Sequence, residues 1–354
     1  MTAPETDSEI TLLKGLISIY SPTLHEGEAV NYCVEQMHQL GFTSYIDEAG
    51  NAVGTLGNGL KEIILLGHID TVPGFIEVKQ EGDTLWGRGS VDAKGPLASY
   101  IAAAGRIGPI PGWRIVVIGA VNEEGESRGA IHILNKHRPQ AAIIGEPSGW
   151  DHITLGYKGS LPFQFTAQKN VEHSSAKPPN ANEIAVSFWN RLVSMTDGYN
   201  AGKLRSFDQI SPTLKIMNTT SDGYYDTATL HIGMRIPRNL SIAEAMEMVE
   251  TIRHKGDIQY GASIEAFQAE KNTMLVRAFL ASIRENRGKP GFLLKTGTAD
   301  MNIVGPVWQC PIVAYGPGDS SLDHTPDEHI SISEYKASIS VLSSVLKKIC
   351  SPSS

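Results

Sequence analysis

Cysteine is scarce: Cys33, Cys310 and Cys350 are the only three in 354 residues. They are scattered, odd in number and form no CxxC pair, so neither a disulfide framework nor a thiolate zinc site is indicated. No run approaches 18 apolar residues, and no transmembrane helix is expected. Positive charge is not in excess, since 30 Lys and Arg against 38 Asp and Glu leave −8. That excludes a general electrostatic affinity for nucleic acid or anionic membranes. The opening MTAPETDSEI shows no basic region followed by an apolar stretch. A soluble cytoplasmic protein is therefore expected, by elimination. Internal repeats are absent, and low complexity is confined to a short Ser-rich end. What is present is an ordinary globular composition, 41% hydrophobic and 19% charged, at a length that suggests about two domains.

The stretch Gly67 to Gly95, GHIDTVPGFIEVKQEGDTLWGRGSVDAKG, organises the rest. The apolar run Ile63-Ile64-Leu65-Leu66 reads as a buried strand that delivers His68 and Asp70 to its C-terminal edge. Residues two apart on a strand face the same way, so these two can serve one site. An imidazole with a carboxylate behind it is the usual arrangement of a metal-ligating histidine. Before this strand the spacing predicts a first helix over about 26–40 and strands near 43–46 and 52–56. After it come a helix over 96–107, a strand over 114–121, a short helix over about 129–136 and a strand over 141–144. Strands alternating with helices predict an α/β sheet, with active-site residues at the carboxyl ends of its strands.

The character changes near Tyr157. Strands near 161–167, 213–218, 228–236 and 264–269, with helices over about 182–195 and 241–255, follow the order βαββαβ. That is the ferredoxin-like split pattern, here inserted as residues 157–268 between the two halves, 1–156 and 269–354, of the α/β domain. Beyond it lie a helix over 272–286, a turn-rich loop 296–302, a strand 312–315 and a last helix opened by the capping box Ser331-x-x-Glu334.

Asp92, Glu123, Glu124 and Glu146 all fall where a strand ends, together with His68 and His324. Buried carboxylates are costly unless paired or coordinated. Such a set, mostly oxygen ligands with two histidines, suits two divalent ions, zinc first and cobalt or manganese next. Each residue alone has a plainer reading. Asp92 can be a helix N-cap, Glu123 and Glu124 a solvated loop, Glu146-Pro147-Ser148 a turn, and His324 a surface histidine.

The motifs GHIDTVPG, GRGSVDAKG, NEEGESRGA, GEPS and DHTPDEHI resemble the dinuclear zinc family M20. That family includes carboxypeptidase G, aminoacylase, acetylornithine deacetylase and succinyl-diaminopimelate desuccinylase. The resemblance covers nearly the whole chain. It implies a zinc-exopeptidase-like catalytic domain carrying an inserted lid and dimerisation domain, hence a homodimer, and metal-assisted hydrolysis of an amide. Carried over by motif, His68 and Glu146 would hold one zinc, Glu124 and His324 the other, and Asp92 would bridge. Asp70 would orient His68, and Glu123 would be the general base. A cis peptide is expected at Asp92–Ala93. His173 would reach across the dimer to stabilise the oxyanion, where its plainer reading is a polar residue at a strand end. Arg235 would clamp a substrate carboxylate, where its plainer reading is a solvated charge. Asn218 and Thr298 are further substrate-contact candidates.

The segments KTGTADMNIV and YGPGDSSLDHTP are most similar to the lysine-biosynthesis branch of the family. That branch releases lysine, in some organisms ornithine, from the C-terminal glutamate of an acidic amino-group carrier protein, LysW. The resemblance thus implies LysW as substrate and a local basic patch to receive it, for which Arg128, Lys158, Lys177, Lys203, Arg205 and Arg238 are candidates. Asp300 is a candidate reader of the lysine ε-ammonium. The alternatives are an N-acyl amino acid deacylase, such as acetylornithine deacetylase or succinyl-diaminopimelate desuccinylase, and a metal-binding scaffold without catalysis.

Overall fold

The computed structural model describes residues 7–173 and 178–350. The chain divides into two compact units. The first takes the residues up to Gly156, Ala269–Leu293 and those from Ala299 on; the second takes Tyr157–Gln268 and Leu294–Thr298.

The first unit is built on the strand Lys61–His68, whose Ile63, Ile64, Leu65 and Leu66 are fully buried. A continuous apolar run is what a strand covered on both faces requires. It pairs in parallel with Trp113–Ala120 on one side and Ala141–Gly145 on the other. Ile312–Tyr315 pairs in parallel beyond Ala141–Gly145. Ala52–Leu56 and Thr43–Ile46 extend the sheet antiparallel past Trp113–Ala120. Because the four parallel strands share a direction, their C-terminal ends gather at one edge. The last helix, Ile332–Cys350, buries Tyr335, Ile339, Leu342, Leu346 and Ile349, the face its spacing predicts.

Two helices in this unit go beyond the expected pattern. Ser8–Ser18 is helical, with Asp7 accepting from the Glu9 N–H at 3.2 Å and Leu12, Leu13, Leu16 and Ile17 turned inward. The expected loop 296–302 is in part the start of a helix, Asp300–Trp308. Asn302 secures its entrance by accepting from the Ala299 N–H at 3.0 Å.

The second unit is a four-stranded antiparallel sheet in the order Ser211–Ser221, Tyr225–Ile236, Gly159–Asn170, Asp257–Tyr260. The helices Ala181–Asn200 and Ile242–Ile252 complete its βαββαβ order. The alternating Leu161, Phe163, Phe165 and Ala167 meet Leu230, Ile232 and Met234, with Ile184, Phe188 and Val249 among the helical residues of the same core. Phe165 and Phe188 stack with centroids 4.0 Å apart. The fourth strand of this sheet is Asp257–Tyr260; within the expected 264–269 only Phe267–Gln268 is a strand, and it is not part of this sheet. Ile258 and Tyr260 pack against the core, whereas Ile264 forms only an isolated bridge to Ser160.

Candidate metal centre

His68 closes its strand with its ring 2% exposed. Its Nδ1 lies 2.9 Å from the backbone carbonyl of Asp70 and 3.6 Å from the carboxylate, so the carbonyl is the nearer brace. The Asp70 carboxylate is directed to the neighbouring loop. It accepts from the Thr23 hydroxyl at 2.9 Å and from the backbone N–H groups of Glu123 at 3.0 Å and Glu124 at 3.1 Å. One aspartate thereby sets the histidine through its backbone and the paired glutamates through its side chain.

Asp92 precedes the helix Lys94–Ile107 but does not cap it; the N-cap position falls on Ala93, without a side-chain bond. The Asp92 oxygens instead face two imidazoles, His68 Nε2 at 3.2 Å and His324 Nε2 at 3.0 Å. The Asp92–Ala93 peptide is cis, as the family resemblance implies. His324 Nε2 also lies 2.9 Å from Glu124 Oε1.

Among the described residues, Asp92, Glu124 and His324 form a group whose ligand atoms all lie within 4.8 Å of one another. Carboxylate oxygens and an imidazole converging at that distance fit a divalent ion of the zinc type. Glu146 is buried just beyond its strand. It lies outside that group, though its charge reaches Glu123.

The electrostatics follow from crowding acids into a buried edge. Burial pushes the Glu123 carboxyl well above the usual range, and the charges of Glu146, Asp300 and Glu124 add to this against the pull of His68. Burial also raises Asp300, to about 7. Burial opposes charge on His68, yet its bonds to Asp70 and Asp92 raise it well above the ordinary histidine value. Bonds to Asp92 and Glu124 raise His324 to about 10. Asp92 is held low despite its burial by the same two histidines. The imidazoles are drawn toward their charged forms by the carboxylates they face.

The remaining candidates separate. Arg235 lies on Tyr225–Ile236 and donates from Nη1 to Thr298 Oγ1 at 3.0 Å, which brings two of the substrate-contact candidates together. Asn218 is not with them; Thr229 faces it across the ladder, while Ser211 faces Arg235. His173 is exposed beyond the end of the strand Gly159–Asn170. Of the proposed basic patch, Lys158 is fully buried, its Nζ donating to the Ser206 carbonyl and the Ser211 hydroxyl at 3.0 Å each, so it offers no surface charge. Lys177 lies outside the described residues. Asp300, 2% exposed, is likewise internal. Its side chain bonds to Ser127, and Oδ1 has no partner among the described residues.

Several residues that hold this centre escaped pattern reading. Lys94 is 1% exposed, and its Nζ reaches back to the carbonyls of Leu16 at 3.3 Å and Ile19 at 2.5 Å. Thr23, Arg88 and Glu328 act through contacts with segments far along the chain. The only signal for Arg88, Lys94 and Glu328 was that each sits inside a motif read for its aspartate or histidine.

The chain is similar to known proteins along nearly its whole length. The chain is 38% identical over 98% of its length, and 98% of the relative's, to a LysW-lysine hydrolase of Deinococcus radiodurans. It is 31% identical to a LysW-lysine/LysW-ornithine hydrolase of Sulfurisphaera tokodaii, over 96% of this chain and 95% of that one. An M20 family metallo-carboxypeptidase from Sulfolobus solfataricus has the same fold, with a TM-score of 0.77 at 18% identity, covering 98% of this chain and 100% of that one. The model of peptidase family M20/M25/M40 matches residues 64–348, from the apolar strand below His68 into the last helix, and the chain belongs to that family of metal-dependent amide hydrolases.

Proposed function

We propose that this enzyme releases lysine, and in the same way ornithine, from the C-terminal glutamate of the carrier protein LysW. The observation that carries this is the full-length likeness to a LysW-lysine hydrolase, at 38% identity. The centre described above supplies the chemistry the reading needs. His68 and Glu146 would hold one divalent ion, Glu124 and His324 the second, and Asp92 would serve both. When bound, the ions polarise the amide carbonyl and make water acidic enough to attack at neutral pH.

The protein's own groups do the rest. Asp70 fixes the Glu123–Glu124 loop through two backbone N–H groups. Glu123, its backbone fixed in that loop, would take the proton from the attacking water and hand it to the leaving amine. Arg235, steadied by Thr298, accepts the free carboxylate of the amino acid being released in a charge-assisted, bidentate pair. Asn218 adds a polar contact. The βαββαβ unit, residues 157–268, is the lid and the dimer interface, and His173 completes the partner's site by donating to the oxyanion.

The test compares carrier-bound lysine with N-acetyllysine and N-acetylornithine at matched low concentrations. The expected result is a higher kcat/KM for the carrier-bound substrate. Equal or better turnover of the acetylated amino acids sinks the carrier assignment and makes the enzyme a general deacylase.

A further inference from the structure

Glu328 is fully buried four residues beyond His324, and its carboxylate touches nothing that reacts. One oxygen, Oε1, accepts from two successive backbone N–H groups, Val91 at 2.9 Å and Asp92 at 3.1 Å. The other, Oε2, accepts from Arg88 Nη1 at 2.8 Å. Arg88 is itself 7% exposed and donates from Nε to the Gly74 carbonyl at 3.0 Å. The segment is docked by strand pairing: His329 faces Trp86, Ile330 faces Leu85, and the Gly87 N–H donates to the Glu328 carbonyl at 3.3 Å. The short stretch from His324 to Glu328 therefore grips Asp92 twice. An imidazole meets its side chain at 3.0 Å, and a carboxylate holds its backbone.

A buried ion pair is a poor device for stability alone, because apolar groups of the same volume commonly do as well or better. A carboxylate that takes two consecutive N–H groups does something an apolar group cannot: it fixes the orientation of the backbone from which Asp92 projects. We infer that Glu328 is a positioning residue, which sets where the Asp92 carboxylate stands between His68 and His324 and so governs how tightly the centre holds its metals. This rests on the reading of Asp92 as the shared ligand.

The test removes the charges as a pair, so that no buried ion is stranded. Arg88→Met with Glu328→Gln keeps an oxygen for the two N–H groups; Arg88→Met with Glu328→Leu does not. Each metal-free protein is titrated with Co2+ and followed by visible absorption, and its thermal unfolding is measured without metal. The leucine pair should bind Co2+ about 10–100-fold more weakly than the glutamine pair, the range for groups that orient metal ligands. The leucine pair should also melt somewhat lower, because two N–H groups lose their acceptor, so Co2+ affinity is compared well below both melting points. Equal Co2+ affinity in both, with a difference only in melting, overturns the inference.

Should the leucine pair not fold, Glu328→Asp keeps a charge for Arg88 while withdrawing its oxygens by one methylene. It should weaken Co2+ binding and alter the visible band; unchanged affinity overturns the inference just as well. Asp92→Asn is the control for the underlying reading. If it binds two Co2+ as the unaltered protein does, Asp92 is not the shared ligand, and that reading fails independently of what Glu328 does.

Discussion

The strand Lys61–His68 has two charged ends, and they are built on opposite principles. At its start, Glu62 is 3% exposed and fully matched by the protein. Oε2 accepts from Arg114 Nη2 at 2.6 Å and Nε at 3.0 Å, and Oε1 meets His137 Nδ1 at 3.1 Å. Burial alone would raise its pKa, but these partners outweigh burial and lower it. At the other end Asp70, Asp92, Glu123, Glu124, Glu146 and Asp300 are set against the imidazoles of His68 and His324. The same sheet thus satisfies its acid at one edge and leaves acids in surplus at the other. An edge with acids in surplus is the arrangement that suits bound cations and perturbed proton affinities.

Substitutions at the two ends should break that contrast in different measurements. Glu123→Gln should lower kcat by about 10²–10⁴-fold, the usual contribution of general acid–base catalysis, while both metals stay bound. Loss of a metal instead would exchange the roles of Glu123 and Glu124. Glu124→Gln should weaken metal binding by about 10–100-fold or more, seen by titration into the metal-free protein, before any intrinsic step is altered. Glu62→Gln should leave kcat and metal content unchanged and lower stability by about 1–2 kcal/mol, since it loses charge-assisted bonds to a half-exposed arginine and a histidine.

The smallest effect is in acid. A carboxyl lowered on folding contributes stability above its unfolded value, near pH 4.3, and loses it as pH falls through the folded value. Denaturant midpoints of the unaltered protein and Glu62→Gln should therefore differ most above about pH 4.3 and converge as pH falls through the lower, folded value. A gap that persists at pH 2 would mean that Glu62 acts through packing and not through charge.

The strand-and-ligand pattern was readable because both periods are local. Ile63–Leu66 shows burial on two faces, and the alternation from Leu161 to Ala167 shows burial on one. The motifs also singled out Asp92, Glu124 and His324, which the fold brings together, and Glu146, which lies outside their group. What stayed hidden depended on partners far along the chain. Nothing near Asp70 indicates that its carboxylate would bond to Thr23, 47 residues away, and to the loop 53 residues ahead. Nothing near Lys158 marks it as buried, since its acceptors come from 48 and 53 residues on. Ser8–Ser18 was hidden by a polar opening, though Leu12, Leu13, Leu16 and Ile17 carry a helical period. The start of Asp300–Trp308 was masked by the Gly- and Thr-rich run before it and by Pro306 within it.

Lys94 ties the helix Ser8–Ser18 to the loop that bears Asp92. Its ammonium caps the carbonyls that end the helix Ser8–Ser18, and it stands two residues from Asp92. Trimming the protein from the front is therefore not a neutral edit. A chain shortened to begin after Ser18 would leave that ammonium with an acceptor missing inside the fold, and the loop bearing Asp92 would carry the disturbance. For anyone shortening or recombining this enzyme, a cut anywhere from Asp7, which caps that helix, to Ser18 reaches the loop bearing Asp92, however far from it the helix looks in sequence.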